Sequence, residues 1–578
     1  MSKRWLVADD ISEEVKKQFP DIHPVVLQLL SNRGLHTQEE FDVYLNPDWD
    51  KHTYGPELFR EMPVAVARVF DVLAEGGVVT VHGDYDADGV CGATVLVATL
   101  KDLCRAFGYD ESLVTYYIPH REKEGYGMSV ATIERLHAEE KTKLVVTVDC
   151  GISNKEAVDR GKELGIDTIV CDHHTMPEEL PDAILIHPLV PGETFPNKHL
   201  CGTAVAFKFA SGLIHEAQKR GSKFPEGYEK WLLDLVAIAT VTDVMPLSGE
   251  NRVLETYGLK VLNKTKRVGL QKLIDISGGK MGALDTFSIG FQIGPRINAA
   301  GRMEHAHRAL ELLIEEDELR ATELAMRLDS INIERRKASE VMYLEAKKMV
   351  GELGDRKLIV VSSEGWPAGL VGLVAGKLVN DYNVPAYVVG KDGDHYVGSG
   401  RSIDGYDVTA TMRAAGEHLD KFGGHPQACG FSTNGDERFL KAKEVMEAYA
   451  KEHLDEDSMV ATLNVDAQVE LEAIDWDFYD LLEKFRPFGN ENPKPVFSSV
   501  GLTLVSFSTV GKEGAHLKLR LQSKGGKNFN AIAFRFGHMT SELKLGGAVD
   551  VVHEVDVNEW NGSRSLQLRV IDIKNTSV

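Results

Sequence analysis

The sequence predicts an α/β protein organised around a parallel sheet, with a second α/β unit and a strand-rich tail behind it. Three observations carry that prediction. The short runs at 77–81, 143–148 and 167–171 are β-branched and nearly all apolar, as strands covered on both faces must be. Each is followed by a helical pattern, which is the mark of βαβ units. After residue 459 the pattern turns to alternation, as in His516-Leu-Lys-Leu-Arg-Leu521 and Leu566-Gln-Leu-Arg-Val-Ile571, which suits a small β-barrel of OB type.

Taken in order, residues 1–60 are mixed and polar, with Pro20, Pro24 and Pro47, and predict a helical cap ahead of the sheet. Residues 61–300 hold the alternating strands and helices and most of the chemistry-bearing side chains. Residues 301–352 are rich in Glu, Leu, Ala, Arg and Met, with no Pro and no Gly between Gly301 and Gly351, and read as long connecting helices with a solvated charged face. A second α/β unit occupies 353–458, starting from Lys357-Leu-Ile-Val-Val361, and the barrel occupies 459–578. A chain of 578 residues is too long for one core, so several domains are expected.

Composition narrows the setting. No apolar run approaches membrane-spanning length, and the N-terminus has no secretory pattern. The six cysteines (Cys91, Cys104, Cys150, Cys171, Cys201 and Cys429) are scattered without a Cys-x-x-Cys pair, and read as small core residues in a reducing cytoplasm. The formal net charge of −23 argues against a global basic footprint for nucleic acid. Binding depends on the local field, however, and Lys512, Lys518, Arg520, Lys524, Lys527 and Arg535 form a stretch whose only acid is Glu513. No strong dimer seam stands out, so a monomer is expected.

The most informative residues stand where apolar runs end: His82-Gly-Asp84-Tyr-Asp86-Ala-Asp88-Gly89, Asp149, Asp172-His173-His174 and Asp243. Ligands of parallel sheets gather at the carboxyl ends of the strands. Asp and His there suit Mg²⁺ or Mn²⁺, and carboxylates so concentrated cannot all stay ionised without cations between them. The first cluster alone could be a helix-capping turn. It is not a calcium loop, because position 95, twelfth from Asp84, is Val. Recurrence at four element ends favours a two-metal phosphoesterase cleft.

In order, these motifs resemble those of the DHH phosphoesterase superfamily. The resemblance extends to the RecJ single-strand-specific exonucleases through Ile118-Pro-His-Arg-Glu-Lys-Glu-Gly-Tyr-Gly127, Ile293-Gly-Pro-Arg-Ile-Asn-Ala-Ala-Gly-Arg302, Gly398-Ser-Gly-Arg-Ser-Ile403, Phe422-Gly-Gly-His425 and Arg486-Pro-Phe-Gly-Asn490. It implies a parallel-sheet DHH catalytic domain, connecting helices, a DHH-associated α/β domain and a single-strand-binding OB barrel. It implies two divalent cations, Mn²⁺ or Mg²⁺, bridged by Asp149, with His82 and Asp84 completing one site and Asp86, His173 and Asp243 the other. His174 would orient the phosphate or protonate the leaving oxygen, and Asp88 and Asp172 would hold ligands by hydrogen bonds.

The activity implied is 5′-to-3′ hydrolysis of single-stranded DNA to mononucleotides, in repair and recombination. Arg121, Ser399 and Arg401 match positions used for the terminal phosphate. Arg296, Asn298 and Arg302 would line the strand's path, Tyr126 would stack on a base, and His425 would face the cleft. A helicase and a single-strand-binding protein are the partners the family implies. Where such chains often carry Trp-His-Pro-Gly, this one has Trp366-Pro367-Ala368-Gly369, so the contact of that histidine is missing. Cys429, where Ala is common, is a milder change. A hydrolase of oligonucleotides, cyclic dinucleotides or pyrophosphate, and a non-catalytic scaffold, are the alternatives. The tail counts against the former and the complete ligand set against the latter.

Overall fold

A computed structural model describes residues 3–560 and 562–576 and resolves into two compact units, residues 49–459 and residues 1–48 together with 460–578. The ends of the expected 1–60 and 459–578 segments, and residue 561, lie outside the described residues.

The larger unit begins with the expected parallel sheet. Its strands are β1 (Val78–Gly83), β2 (Val114–Tyr117), β3 (Thr142–Val148), β4 (Asp167–Cys171) and β5 (Ile184–Ile186), in the order β2-β1-β3-β4-β5 with every pair parallel. Val79, Val81, Leu144, Val146 and Val148 are sealed from water, which explains the unbroken apolar runs. The core is completed by α1 (Ala87–Phe107), α2 (Gly202–Lys219) and α3 (Leu233–Thr242). Asp86 caps α1 by accepting from the Asp88 and Gly89 amides, and Gly108, left-handed at φ 74°, ends it.

The connecting stretch contains α4 (Gly294–Met303) and the 33-residue α5 (Glu318–Val350), capped by Asp317 and stopped at Gly351. The first half of α5 buries Ala321, Ala325 and Leu328 in the first core. Its second half buries Met342, Ala346 and Val350 in a second core against α6 (Ala368–Tyr382). One helix therefore joins two cores through two differently placed apolar stripes. The second sheet, β6 (Ile359–Glu364), β7 (Ala386–Asp392), β8 (His395–Arg401), β9 (Lys421–His425) and β10 (Ala428–Asn434), runs β9-β10-β8-β7-β6, and only β6 and β7 are parallel.

The other unit is a closed barrel. β11 (Phe497–Val510), β12 (His516–Gln522), β13 (Asn528–Ala533), β14 (Ala548–Trp560) and β15 (Ser563–Asn575) pair as β11-β12-β13-β15-β14, and β14 returns to β11. Closure leaves no free sheet edge. Here the expected cap is corrected: residues 1–48 belong to this unit, not to the parallel sheet. Leu27, Leu29, Leu30 and Phe41 share a core with Phe478, Phe485 and Phe497, and strand Arg4–Val7 pairs with Thr462–Val465.

A buried amide ties the N-terminal helices to the barrel unit. Asn492 Oδ1 accepts from Arg33 Nε (2.8 Å) and the Tyr44 hydroxyl (2.5 Å), and its Nδ2 donates to the Phe485 and Pro487 carbonyls (2.8 and 2.7 Å). All six cysteines are free and buried, and no helix among the described residues is long and apolar enough to cross a membrane.

Two stability predictions follow from buried polar groups. Asn492→Ala removes four hydrogen bonds and lowers stability by about 2–4 kcal/mol, read from the urea midpoint. Glu255 is fully buried, neither carboxylate oxygen has a partner among the described residues, and burial holds its carboxyl well above the usual range. The unfolded chain ionises it above about pH 4.3, so it costs stability increasingly as pH rises past that value. Glu255→Met raises the thermal midpoint at pH 8, and the gain shrinks towards pH 5; an equal gain at both would show a packing effect alone.

Candidate active site

The site is assembled where β1, β3 and β4 end. His82 is the penultimate residue of β1, and Asp84 and Asp86 follow in the turn that starts α1. Asp149 follows β3 in the left-handed region at φ 59°, a strained conformation for a residue with a Cβ. Two features hold it there: its amide donates to the Cys171 carbonyl at 2.9 Å, and the first turn of α2 presses on it. A Cβ at Gly202 would fall 2.5 Å from Asp149 Cβ, so only glycine allows that approach. Asp243 ends α3 on the other side, just before Val244, which is also left-handed at φ 56°.

Two acidic residues act as struts. Asp88 accepts from the Gly202 and Thr203 amides at 2.6 and 2.7 Å, which locks the start of α1 to the start of α2. Asp172 accepts from the Ile152, His173 and His174 amides, and its Oδ1 lies 2.8 Å from His174 Nδ1. Burial opposes both charges of that pair. The pairing outweighs it, holding Asp172 well below the usual carboxylate range and raising His174 above an ordinary imidazole. The Tyr126 hydroxyl donates to the Asp149 carbonyl at 2.9 Å and lies 3.0 Å from His174 Nδ1.

Three donor groups overlap, each with its atoms within 4.8 Å: Asp84, Asp86 and Asp149; Asp149, His173 and His174; Asp88, His173 and Asp243. His173 Nε2 stands 3.1 Å from Asp149 Oδ1 and 3.5 Å from Asp243 Oδ2. Asp149 and His173 each belong to two of these groups. Asp86 shares a group with Asp84 and Asp149, and its charge also bears on Asp243 and His173.

The donors fit divalent cations on structural grounds. His82 Nε2, Asp84 Oδ1 and Asp243 Oδ2 are buried without a hydrogen-bond partner among the described residues. Burial, and then the neighbouring carboxylates, push Asp84, Asp149 and Asp243 well above the carboxylate range; burial drives His82 down to about 4. Such a set is destabilising as bare charges and is completed by cations that accept oxygen and nitrogen ligands.

Beside the donors lies a cavity of about 730 Å³ whose walls include Tyr85, Arg121, Arg302, Ser399 and Arg401. The Arg121 guanidinium lies over the Tyr85 ring, 4.6 Å from its centroid. Arg401 Nη1 donates to Ser399 Oγ (2.8 Å) and the Gly400 carbonyl (2.7 Å), and Arg302 Nη1 to the Gly369 carbonyl (3.0 Å). Burial, with Arg121 and Arg335 nearby, pulls Arg302 down to about 10. Guanidinium groups gathered in this way form a ready site for a phosphate. Trp366, Pro367 and Ala368 line the same cavity.

The remaining expected residues are elsewhere. Arg296 is engaged by Asp329 at 2.8 Å, Asn298 Oδ1 accepts from the Ala87 amide at 2.8 Å, and His425 is exposed at the end of β9 and does not line the cavity. Sequence reasoning passed over Tyr85, although it lies between two singled-out aspartates. Only the packed structure puts Arg121 on its ring.

A parallel sheet carrying clustered aspartates and histidines at its carboxyl edge, beside an arginine-lined cavity that reaches into a second lobe, defines a phosphoesterase of the DHH class. Family comparison agrees: residues 78–240 match the DHH family N-terminal domain, 355–452 the DHHA1 domain and 465–572 the RecJ OB domain. The chain is 35% identical to the single-stranded-DNA-specific exonuclease RecJ of Bacillus subtilis, over 98% of its own length and 70% of that protein. It is 30% identical to RecJ of Haemophilus influenzae, over 95% and 96%. Its fold is similar to the crystal structure of RecJ in complex with Mn²⁺ from Thermus thermophilus, with TM-score 0.82 and 28% identity, covering 100% of this chain and 80% of that one. The chain belongs to the RecJ family of single-stranded-DNA-specific exonucleases.

Because the bare donors repel, removing one stabilises the metal-free protein. Asp149→Asn raises the thermal midpoint in chelator, whereas with Mn²⁺ the native chain gains more and the order reverses. A variant that stays ahead in Mn²⁺ would rule out Asp149 as a metal ligand.

Proposed function

We propose that this protein is a metal-dependent exonuclease that degrades single-stranded DNA from its 5′ end to mononucleotides, in repair and recombination. The observation that carries the reading is the adjacency, within one compact unit, of the donor cluster and the arginine-lined cavity, with Tyr85 between its two aspartates and in the cavity wall. A cleavage centre beside a pocket for a terminal phosphate suits a strand measured from its end.

In this reading His82, Asp84, Asp86, Asp149, His173 and Asp243 would hold two divalent cations, with Asp149 as the carboxylate shared between them. Divalent cations in these donors, Mn²⁺ or Mg²⁺ as bound by the Thermus relatives, supply Lewis acidity at the scissile phosphate and an activated water. Arg121, Ser399 and Arg401 hold the 5′-phosphate, and Arg302 neutralises the next stretch of backbone. His174, whose hold on a proton is strengthened by Asp172, orients the phosphate or protonates the leaving oxygen. Tyr126 keeps His174 and the Asp149 carbonyl in register, and its half-exposed ring offers a stacking face.

The barrel unit carries a surface of its own suited to a single strand. Phe534 is 48% exposed with Arg569 5.8 Å from its ring centroid, and Lys518 and Arg520 are exposed on β12. Aromatic faces among cations suit unpaired bases and phosphates. The division of labour we propose gives catalysis to residues 61–300, phosphate recognition to 353–458 and strand capture to 459–578, with 301–352 as connector and residues 1–48 serving the barrel. A cytoplasmic monomer working with a helicase and a single-strand-binding protein completes the proposal.

The test is digestion of a 5′-labelled single strand and its duplex with Mn²⁺, Mg²⁺ or chelator, beside Asp149→Ala. Metal-dependent release of labelled mononucleotide from the single strand alone, reduced by a factor of about 10³ or more in the variant, is the expected result. Cleavage of dinucleotides while long strands stay intact would make the protein a small-substrate hydrolase.

A further inference from the structure

Two phenylalanines in the segment leading into α4 stand in water. Phe287 is 57% and Phe291 70% exposed, and their rings stack with centroids 4.6 Å apart and planes 26° from parallel. Two stacked phenyl rings left open to water are an apolar surface with an unmet partner.

α4 places the pair relative to the cleft. At its C-terminal end a Cβ on Gly301 would fall 2.2 Å from the Tyr85 carbonyl oxygen, and Arg302 lines the phosphate cavity. In the middle, Asn298 holds the Ala87 amide, next to Asp86. At its N-terminal end a Cβ on Gly294 would fall 2.3 Å from Thr242 Cγ2, beside Asp243. The helix therefore runs from the phosphate pocket, past the donors, to the Asp243 turn. Its ten residues cover about 15 Å. The phenylalanines precede its N-terminus, on the far side of the donors from the phosphate pocket.

Arg335, on α5, opens a second contact along α4: its buried Nε has no hydrogen-bond partner among the described residues, and it stands near both Arg296, which is paired with Asp329, and Arg302 of the cavity. An open guanidinium donor along the helix is completed by an anion such as the phosphate of a strand.

We propose that Phe287 and Phe291 form a stacking platform for unpaired bases on the 3′ side of the scissile bond, beyond the metal donors. The proposal rests on the exonuclease reading and adds the place where the uncut strand is gripped. Stacking on a phenyl face tolerates any base, as an enzyme that advances along a strand requires.

The test compares the full-length native chain, Phe287→Ala/Phe291→Ala and Phe287→Tyr/Phe291→Tyr, in Mn²⁺, on a 5′-phosphorylated dinucleotide and a 20-mer. The alanine variant is expected to lose about 10-fold in kcat/KM on the 20-mer, through KM, and to cut the dinucleotide within twofold of the native rate. Tyrosine should restore the 20-mer. Equal rates on both substrates in all three proteins overturn the platform, and so does a parallel loss on both substrates. Sedimentation of the same proteins supplies the remaining outcome: a native dimer that the alanine variant dissolves would make the pair an interface between copies. A native chain that releases mononucleotide from neither substrate fails at the exonuclease reading instead, before the platform is in question.

Discussion

Like charges held together without solvent are the constraint on which the larger unit depends. Asp84, Asp86, Asp149 and Asp243 are brought within reach of one another at the carboxyl edge of the sheet, and burial makes their mutual repulsion expensive. The surrounding fold resists that repulsion. Strands without a break in their apolar pattern and three buried helices hold the ends of the elements in place, and the strained backbone at Asp149 and Val244 persists because its neighbours over-determine it. Cations would turn the same repulsion into binding free energy, which is why one set of contacts serves both scaffold and chemistry.

Asp88 and Asp172 show how acidic residues near a metal site divide their work. Asp88 spends its oxygens on two amides of α2, and Asp172 on three amides and an imidazole. Neither needs to touch a cation to matter, since each fixes the elements that carry the residues that do. The Asp172–His174 pair also raises the proton affinity of an imidazole beside the clustered carboxylates.

The cavity beside the donors supplies the opposite sign. Arg121, Arg302 and Arg401 reach the cavity from three separate stretches of chain, and α5, with one half in each core, joins the lobes that carry them. The net charge of −23 therefore says little about the cavity, whose walls carry Arg121, Arg302, Lys391 and Arg401 beside Glu122, Glu364 and Asp392. Chain-level acidity and local affinity for phosphate coexist in one molecule.

The sequence by itself determined the strands and the order of the motifs, because apolar β-branched runs ending in Asp or His carry both local structure and chemistry in adjacent residues. His82, Asp84, Asp86, Asp149, His173 and Asp243 could be singled out for that reason, and so could Arg121, Ser399 and Arg401 through their motifs. Only the tertiary structure decided which donors share a group, that Arg296 is consumed by Asp329 and Asn298 by a backbone amide, and that residues 1–48 complete the barrel unit and not the sheet. Those outcomes depend on contacts between residues tens to hundreds of positions apart. Nothing in the local pattern of polar and apolar residues records whether an arginine will meet a carboxylate or an apolar helix face will meet a distant core.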